Sequence, residues 1–187
     1  KENSERFPEI GMAIIGKKGK EYFSRRNAFT IEKTYTDIVG KPTMDHARQI
    51  GSDMLNLYES EGLDALYVIY NEFKNAATQN VVIERLLPVV PEETPDTSET
   101  GVEFVYEPSL GQVLEDVIPL HVGVQIYRSI LESVASEMGS RMTAMDSATK
   151  NAGDLIDRLT LQFNRARQAA ITKELMEIVS GAEALKG

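Results

Sequence analysis

The sequence lacks cysteine and contains only two histidines, His46 and His121. Without thiols, the chain forms no disulfides and performs no thiolate chemistry. Neither histidine has acidic or histidine partners at the spacing of a metal-binding helix, so we expect no metal site. The sequence also lacks a nucleophile elbow, in which a serine lies between glycines at a strand-to-helix turn. It therefore offers no catalytic constellation and predicts no cofactor.

Long apolar runs and an excess of positive charge are also missing. No stretch of about 18 apolar residues is present, so the sequence predicts no membrane-spanning helix. Asp and Glu number 29 against 20 Lys and Arg, which gives a net charge of −9. A general nucleic-acid binder needs a basic face that replaces phosphate counterions, so this balance argues against that class. Because the chain starts at Lys1 and not at Met, we expect a fragment, for which a missing signal peptide has little meaning.

Residues 1–108 contain an alternation of strand and helix patterns. Short apolar or alternating runs predict the strands, and apolar residues three or four positions apart predict the helices. The predicted strands cover residues 10–15, 28–35, 64–73, 80–90 and 104–106, and the predicted helices cover 17–26 and the segment from Thr43 to Gly62. This alternation is typical of an α/β unit. We predict a partial, Rossmann-like three-layer domain with a mostly parallel sheet.

Two polar segments of this domain have no functional role that can be assigned from their residues. Residues 16–20, Gly-Lys-Lys-Gly-Lys, follow a predicted strand, as a phosphate-binding loop would. They do not match the pattern Gly, four residues, Gly-Lys-Ser/Thr, so we interpret them as a strand-to-helix turn with solvated lysines. Residues 91–101 are acidic and lack apolar side chains, which predicts an exposed, mobile loop.

From Ser109 onward the pattern becomes that of one long amphipathic helix. Apolar or small residues recur with a period of about 3.5 up to Val134 and about 3.6 from there to Ala170. A helix from about Leu110 to Glu183 would be roughly 110 Å long. Pro119 removes one backbone hydrogen bond and crowds the preceding turn, so we expect a kink or a break there. We therefore divide the chain into an α/β domain, 1–108, and a shaft helix, 109–187.

The stripe along this helix predicts a coiled-coil seam. Its positions are Val134, Met138, Met142, Met145, Ala152, Ile156, Leu159, Phe163, Ala166 and Ala170. The alanines would let another helix approach closely. A sharper interpretation is that the helix also works as a shaft inside a sleeve, and the periodicity does not separate these two possibilities.

Polar residues crowd the far end of the helix. They are Arg165, Arg167, Gln168, Thr172, Lys173 and Glu174. A charged run of this kind is usually a solvated helix face. The alternative is contact with a partner, because arginine binds carboxylates in a forked geometry.

The helix also carries a long and specific set of motifs: Ser136-Glu137, Arg141–Met145, Ala148–Ala152, Leu155-Ile156, Leu159, Asn164–Thr172, Glu174-Leu175 and Glu177–Ala182. Shorter motifs of the first domain agree with them: Ile15–Gly19, Tyr70–Phe73, Leu86–Pro88 and Tyr106–Pro108. In this combination the sequence resembles the gamma subunit of F-type ATP synthases over nearly the whole chain. The resemblance is weakest around residues 24–60 and 91–101.

This resemblance implies a non-catalytic rotor subunit of the central stalk. In that family, the N- and C-terminal helices form an antiparallel coiled coil inside the ring of alpha and beta subunits. The α/β domain, together with the epsilon subunit, sits on the membrane ring of c subunits. Ion flow turns the shaft, and ATP chemistry takes place on the beta subunits. The resemblance thus implies a peripheral subunit of a proton-transporting complex, on the cytoplasmic face of a bacterial plasma membrane.

Particular residues acquire roles from the same resemblance. Arg167, Gln168 and Thr172 are similar to positions that touch the beta-subunit catch loop, and Arg141 to a shaft position near an acidic lever of that subunit. With Glu174, these are the residues that we expect to contact the alpha and beta ring. The family's N-terminal helix and first strand-helix unit have no counterpart before Lys1. We therefore expect the exposed stripe to promote self-association.

Two rival interpretations stand beside the rotor subunit. One is a free-standing coiled-coil interaction protein with an α/β head, and the other is a small nucleotide-binding enzyme built on residues 1–108. Co-purification with alpha and beta subunits separates the rotor subunit from the first rival. Calorimetry with ATP on the isolated chain addresses the second.

Overall fold

The structure is a computed structural model that describes residues 9–26, 29–89 and 106–185. Its elements, in chain order, are β1 (Gly11–Ile15), α1 (Lys17–Ser24), β2 (Thr30–Tyr35), α2 (Met44–Ser60), β3 (Leu66–Asn75), β4 (Thr78–Leu87) and α3 (Leu110–Ala184). Each corresponds to a predicted strand or helix, with ends that differ by a few residues. The segment 91–101 and residues 104 and 105 of the last predicted strand lie outside the described residues. Tyr106, the third residue of that strand, lies outside the observed strands.

The strands form two pairs of opposite direction. β1 and β2 are parallel, whereas β3 and β4 are antiparallel and make a separate two-stranded sheet. The α/β class is confirmed, and the parallel pair with it, but the expectation of a mostly parallel sheet needs correction for β3 and β4. Only residues 76 and 77 separate these two strands. A connection this short joins antiparallel neighbours, because parallel strands need a crossover of a dozen or more residues.

The turn between β1 and α1 has the form that the sequence predicts. Gly16 adopts a positive φ of 110°, a conformation that suits glycine. Its N–H donates to the carbonyl of Tyr35 at 2.7 Å, which fastens the turn to the end of β2. The ammonium of Lys17 lies 3.2 Å from the carboxylate of Asp37, and both side chains are largely exposed. The hydrogen bond from Lys17 lowers the pKa of Asp37.

Helix α2 begins and ends at the predicted signals. The side chain of Thr43 accepts a hydrogen bond from the N–H of His46, as an N-cap residue does. Gly62, with φ 61°, follows the last turn. Two contacts tie α2 to β2: the hydroxyl of Tyr35 donates to Asp53 at 2.6 Å, and the ammonium of Lys33 lies 2.9 Å from the same carboxylate. Burial first, and then Asp53, raise the pKa of Tyr35.

The hydrophobic core lies between α2, β4 and the first part of α3. Its buried members are Ala47, Ile50, Met54, Leu86, Leu87, Val122, Ile126 and Ile130. The helices α2 and α3 lie close together at Gly51 and Gly123, where a Cβ added to Gly51 would lie 3.5 Å from the backbone nitrogen of Gly123. The absence of a side chain at Gly51 and Gly123 therefore permits a close approach of the two helices.

Helix α3 is continuous over 75 residues, from Leu110 to Ala184. Ser109 caps its start, because its side-chain oxygen accepts a hydrogen bond from the N–H of Gln112. Of the kink or break predicted at Pro119, the break does not occur, because Pro119 lies inside the continuous helix. Proline removes only one hydrogen bond. The core contacts of Ile118 and Val122, on either side of it, hold the helix in place.

The chain divides into two compact units, Lys1–Met138 and Gly139–Gly187. The first contains all strands, α1, α2 and the first part of α3. Within the described residues, the second consists of the remainder of α3. The division thus falls inside the helix, whereas the predicted boundary at 108/109 follows the change of secondary structure.

Candidate interaction surface on the long helix

Within the first unit, α3 has two apolar faces with different surroundings. One face carries Val122, Ile126 and Ile130, which are buried in the core. The other carries large apolar side chains that are all more than two-fifths exposed: Leu110, Leu114, Val117, Leu120, Val124 and Leu131. The spacing of this second set is three, four or seven residues, which keeps it on one side of a helix. This part of the helix therefore presents an apolar stripe to solvent while it packs on the core.

The predicted seam residues of the second unit, and Met138 just before the division, form a separate group. Met138, Met142, Met145, Ile156, Leu159 and Phe163 are each more than half exposed. The alanines at 152, 166 and 170 are exposed as well. Val134 differs, because it is half-buried and packs against the core of the first unit. The surface formed by these residues from Met138 to Ala170 is called the seam below.

The predicted contact residues near the end of the helix are all exposed, namely Arg141, Arg167, Gln168, Thr172 and Glu174. Helical geometry sorts them into sets. Gln168 and Thr172 are four residues apart and share one face. Arg167 and Glu174 are seven apart and share another, next to the seam. Arg141 lies roughly 39 Å from Arg167 along the helix, at 1.5 Å per residue.

A polar cluster between the β3–β4 hairpin and α3 escaped the sequence analysis. The buried Tyr70 donates its hydroxyl proton to Glu84 at 3.2 Å. Arg128 donates to Glu132 at 2.8 Å, one turn further along α3. Burial raises the pKa of Tyr70, and the negative charge of Glu84 adds to this effect. The hydrogen bond to Glu132 raises the pKa of Arg128. The opposite charges at 128 and 132, spaced i and i+4, were the available signal.

Two serines of α3 bind the backbone of one residue in β3, which the sequence analysis also missed. The hydroxyl of Ser136 donates to the carbonyl oxygen of Asn71 at 3.0 Å. The N–H of Asn71 donates to the hydroxyl oxygen of Ser133 at 3.3 Å. Ser136 is buried, with 3% of its surface exposed. No pattern in the sequence distinguishes these serines from solvated ones.

Two further properties concern sites and membranes. Among residues 9–26, 29–89 and 106–185, no group of three or more His, Cys, Asp and Glu side chains is placed to hold a metal ion. In the same part of the chain, no helix combines the length and the apolar character that crossing a bilayer requires.

The chain matches the family model described as ATP synthase over residues 1–185. Among curated proteins, the ATP synthase gamma chain of Trichlorobacter lovleyi is 44% identical over all of this chain and 64% of that protein. The gamma chain of Geobacter sp. strain M21 is 49% identical over 97% of this chain and 62% of that protein. The chain thus spans less than two thirds of the length of these relatives.

Solved structures agree with the sequence relatives. A chain from the central stalk and c-ring of the Tetrahymena thermophila mitochondrial ATP synthase is 25% identical, with a TM-score of 0.56, over 72% of this chain and 58% of that chain. A chain of the Euglena gracilis mitochondrial ATP synthase has a similar fold, at 19% identity and a TM-score of 0.59, over 91% of this chain and 60% of that chain. The family model, the curated gamma chains and the long helix lead to one conclusion: the chain belongs to the ATP synthase gamma-chain family.

Proposed function

We propose that the chain is the larger part of a rotor subunit in the central stalk of an F-type ATP synthase. In this role it couples rotation of a membrane ring, driven by ion flow, to ATP synthesis or hydrolysis on beta subunits. The observation that carries the proposal is the exposed apolar stripe along a continuous helix of 75 residues. The chain contributes no nucleotide chemistry of its own and acts by transmitting torque.

A continuous helix suits this mechanical role. Helix α3 belongs to both compact units, so a torque applied to the first unit reaches the second through one ladder of backbone hydrogen bonds. The core contacts of Val122, Ile126 and Ile130 fasten the helix to the first unit. Within the described residues, the side chains of the second unit are almost all exposed and can meet partners.

The first partner of the seam is a second helix of the same subunit. The curated gamma chains are longer than this chain, which covers 64% of the Trichlorobacter relative. We propose that a helix from the remaining part pairs with the seam as an antiparallel coiled coil. Alanines at 152, 166 and 170 permit close approach of such a helix. When it is absent, the same surface pairs with a second copy of this chain, because exposed apolar stripes associate.

The second partner is the surrounding ring of alpha and beta subunits. We propose that Arg141, Arg167, Gln168, Thr172 and Glu174 contact this ring, with Gln168 and Thr172 on the side turned away from the seam. A rotor must bind the surrounding ring with nearly equal free energy at each angle of rotation, because a much tighter contact at one angle would stop it. A ligand shifts an equilibrium only by its differential affinity, so a few directed polar contacts on a slim helix are enough to favour particular angles.

The remaining partners are proposed for the first unit. They are the epsilon subunit and the ring of c subunits, which would place the protein at the cytoplasmic face of the bacterial plasma membrane. The support is that the solved neighbour from Tetrahymena is a chain of a central stalk and c-ring assembly. No nucleic acid is expected as a partner, since the chain carries a net charge of −9.

A chimera tests the proposal in an assembled complex. The matching segment of the Geobacter strain M21 gamma chain is replaced by this chain and assembled with that organism's alpha and beta subunits; we call the product the chimeric complex. ATP-driven rotation of a probe fixed to the first unit is expected. The control carries Ile156→Asp and Leu159→Asp in the seam and should not assemble. A free-standing interaction protein with an α/β head would give neither co-assembly nor rotation, and that outcome would refute the rotor proposal.

A further inference from the structure

The edge of β3 that faces away from β4 is closed at one point by helix α3. Within the described residues, β3 pairs with β4 and with no other strand, and Asn71 lies opposite Val81 in that ladder. The N–H and C=O of Asn71 both bond to serines of α3, so they point away from β4. Open strand edges carry unpaired donors and acceptors. Here both groups of one residue are satisfied by one helix.

The geometry of this contact restricts both the rotation and the sliding of the helix. Ser133 and Ser136 are three residues apart and share a helix face. One accepts from the backbone N–H of Asn71 and the other donates to its carbonyl, at 3.3 and 3.0 Å. Hydrogen bonds weaken steeply when the helix rolls or slides, because they depend on angle. The core contacts around Val122 and Ile126 hold the helix by non-directional apolar packing, to which these two hydrogen bonds add a dependence on angle.

The position of the contact along the helix is equally informative. Ser136 is the last buried residue of α3 within the described chain. The division between the two compact units falls just beyond it, between Met138 and Gly139. The two serines therefore bind the helix at the end of its attachment to the first unit. Any twisting load on the second unit reaches the first unit at this point.

We infer that Ser133 and Ser136 are positioning residues that fix the rotational setting of α3 against the edge of β3 and so bear torque between the two units. This inference rests on the proposed rotor function. The serines touch no nucleotide and act through the backbone of Asn71. Their contribution is torsional stiffness, which matters when the helix works against a load and not when it turns freely.

The first measurement is hydrogen exchange of the Asn71 amide in the chimeric complex, with Ser133→Ala and Ser136→Ala combined. A net hydrogen bond of about 1 kcal/mol corresponds to roughly fivefold in local opening, so exchange at Asn71 should accelerate about fivefold or more. Ser129→Ala is the matched control, because this buried serine bonds only to the carbonyl of Gln125 in its own helix. In the Ser129→Ala variant, the exchange rate of the Asn71 amide should equal that of the parent complex.

The second measurement is the torsional stiffness of the stalk, together with the ratio of ATP synthesis to unloaded ATP hydrolysis. In the double variant the stiffness and the ratio should both fall, while unloaded hydrolysis stays at the parent level. The single variant Ser133→Thr keeps both hydroxyl groups, so its torsional stiffness and its ratio of synthesis to hydrolysis should equal those of the parent. Faster exchange at Asn71 with unchanged stiffness would overturn the inference and leave the rotor function standing. A parent complex that does not rotate would instead refute the rotor function, and the inference with it.

Discussion

The two parts of α3 share one backbone conformation but have opposite surroundings. In the first unit, Ile126 is 3% exposed and packs in the core, whereas in the second unit Ile156 is 61% exposed. The same residue type in the same helix thus makes tertiary contacts in one place and none in the other. Most of the stability of a protein helix comes from packing of its apolar face. The comparison teaches that this chain buries one face of the first part of α3, whereas it leaves the apolar side chains of the second part exposed.

The largest expected effect comes from truncating the matched isoleucines. Ile126→Ala should lower the free energy of unfolding by about 2 to 4 kcal/mol, since it leaves a cavity between α2, β4 and α3. Ile156→Ala should change it by about 0.5 kcal/mol or less. Urea unfolding followed by tyrosine fluorescence measures this, because all tyrosines lie before Met138. Equal losses in the two variants would contradict the division into a packed and an unpacked part.

A charge in the seam should affect association and not folding. Ile156→Asp should weaken self-association of the isolated chain roughly tenfold or more, because a buried isoleucine contributes about 1.5 to 3 kcal/mol. Light scattering over a range of concentrations gives the mass. Ser147→Asp, which adds the same charge on the opposite side of the helix, is the control. A mass that is monomeric at every concentration would rule out pairing through this surface.

The polar end of the helix should matter only in the assembled complex. Arg167→Ala together with Gln168→Ala should slow ATP-driven rotation of the chimeric complex, on the order of tenfold, since each removes a directed polar contact. Lys173→Ala is a suitable control, because this exposed lysine pairs with Glu177 of its own helix. Unchanged torque and turnover in the double variant would remove these two residues from the contact surface.

The smallest effect concerns pH and the first unit alone. The hydrogen bond from Tyr35, and then Lys33, lower the pKa of Asp53. Because the pKa is lowered by folding, the carboxylate stabilises the folded state fully at pH values above the pKa of the unfolded chain, about 3.9. This stabilisation disappears as the pH falls through the lower pKa of the folded state. Asp53→Asn should therefore cost about 1 kcal/mol at pH 7 and progressively less below pH 4. A difference that grows on acidification would contradict the assignment.

The sequence predicted those elements that have a long apolar repeat or a characteristic residue at their ends. Apolar residues repeating over many turns predicted α3 to within a residue of its observed end, and Thr43 predicted the start of α2. The direction of β4 was missed because Ala76 and Ala77 lack the glycine or asparagine that identifies most two-residue hairpin turns. Pro119 predicted a kink or a break, and the helix is continuous there. The sequence pattern does not reveal that the residues on both sides of Pro119 pack against the core.

The sequence predicted some residues of the candidate interaction surface and missed others. The seam was predicted from periodicity and stays a prediction, and its residues from Met138 to Ala170 are exposed in the structure. The contact residues followed from resemblance to a family, because Arg167 or Thr172 on a solvated face has no local signature of its own. Tyr70, Ser133 and Ser136 could not be identified, since their partners are 14 to 65 residues away in sequence. Such contacts exist only once the chain is folded.

The crossing of α2 and α3 at Gly51 and Gly123 has a consequence for variation. A Cβ added to Gly51 would reach van der Waals distance of Gly123, and a Cβ added to Gly123 would reach that distance from Arg48 of α2. Residues in contact have non-additive effects. The two positions therefore form a coupled pair, and the free energies of Gly51→Ala and Gly123→Ala should not sum to that of the double variant. A single methyl group fits at either position, whereas a longer side chain would press on the opposite helix.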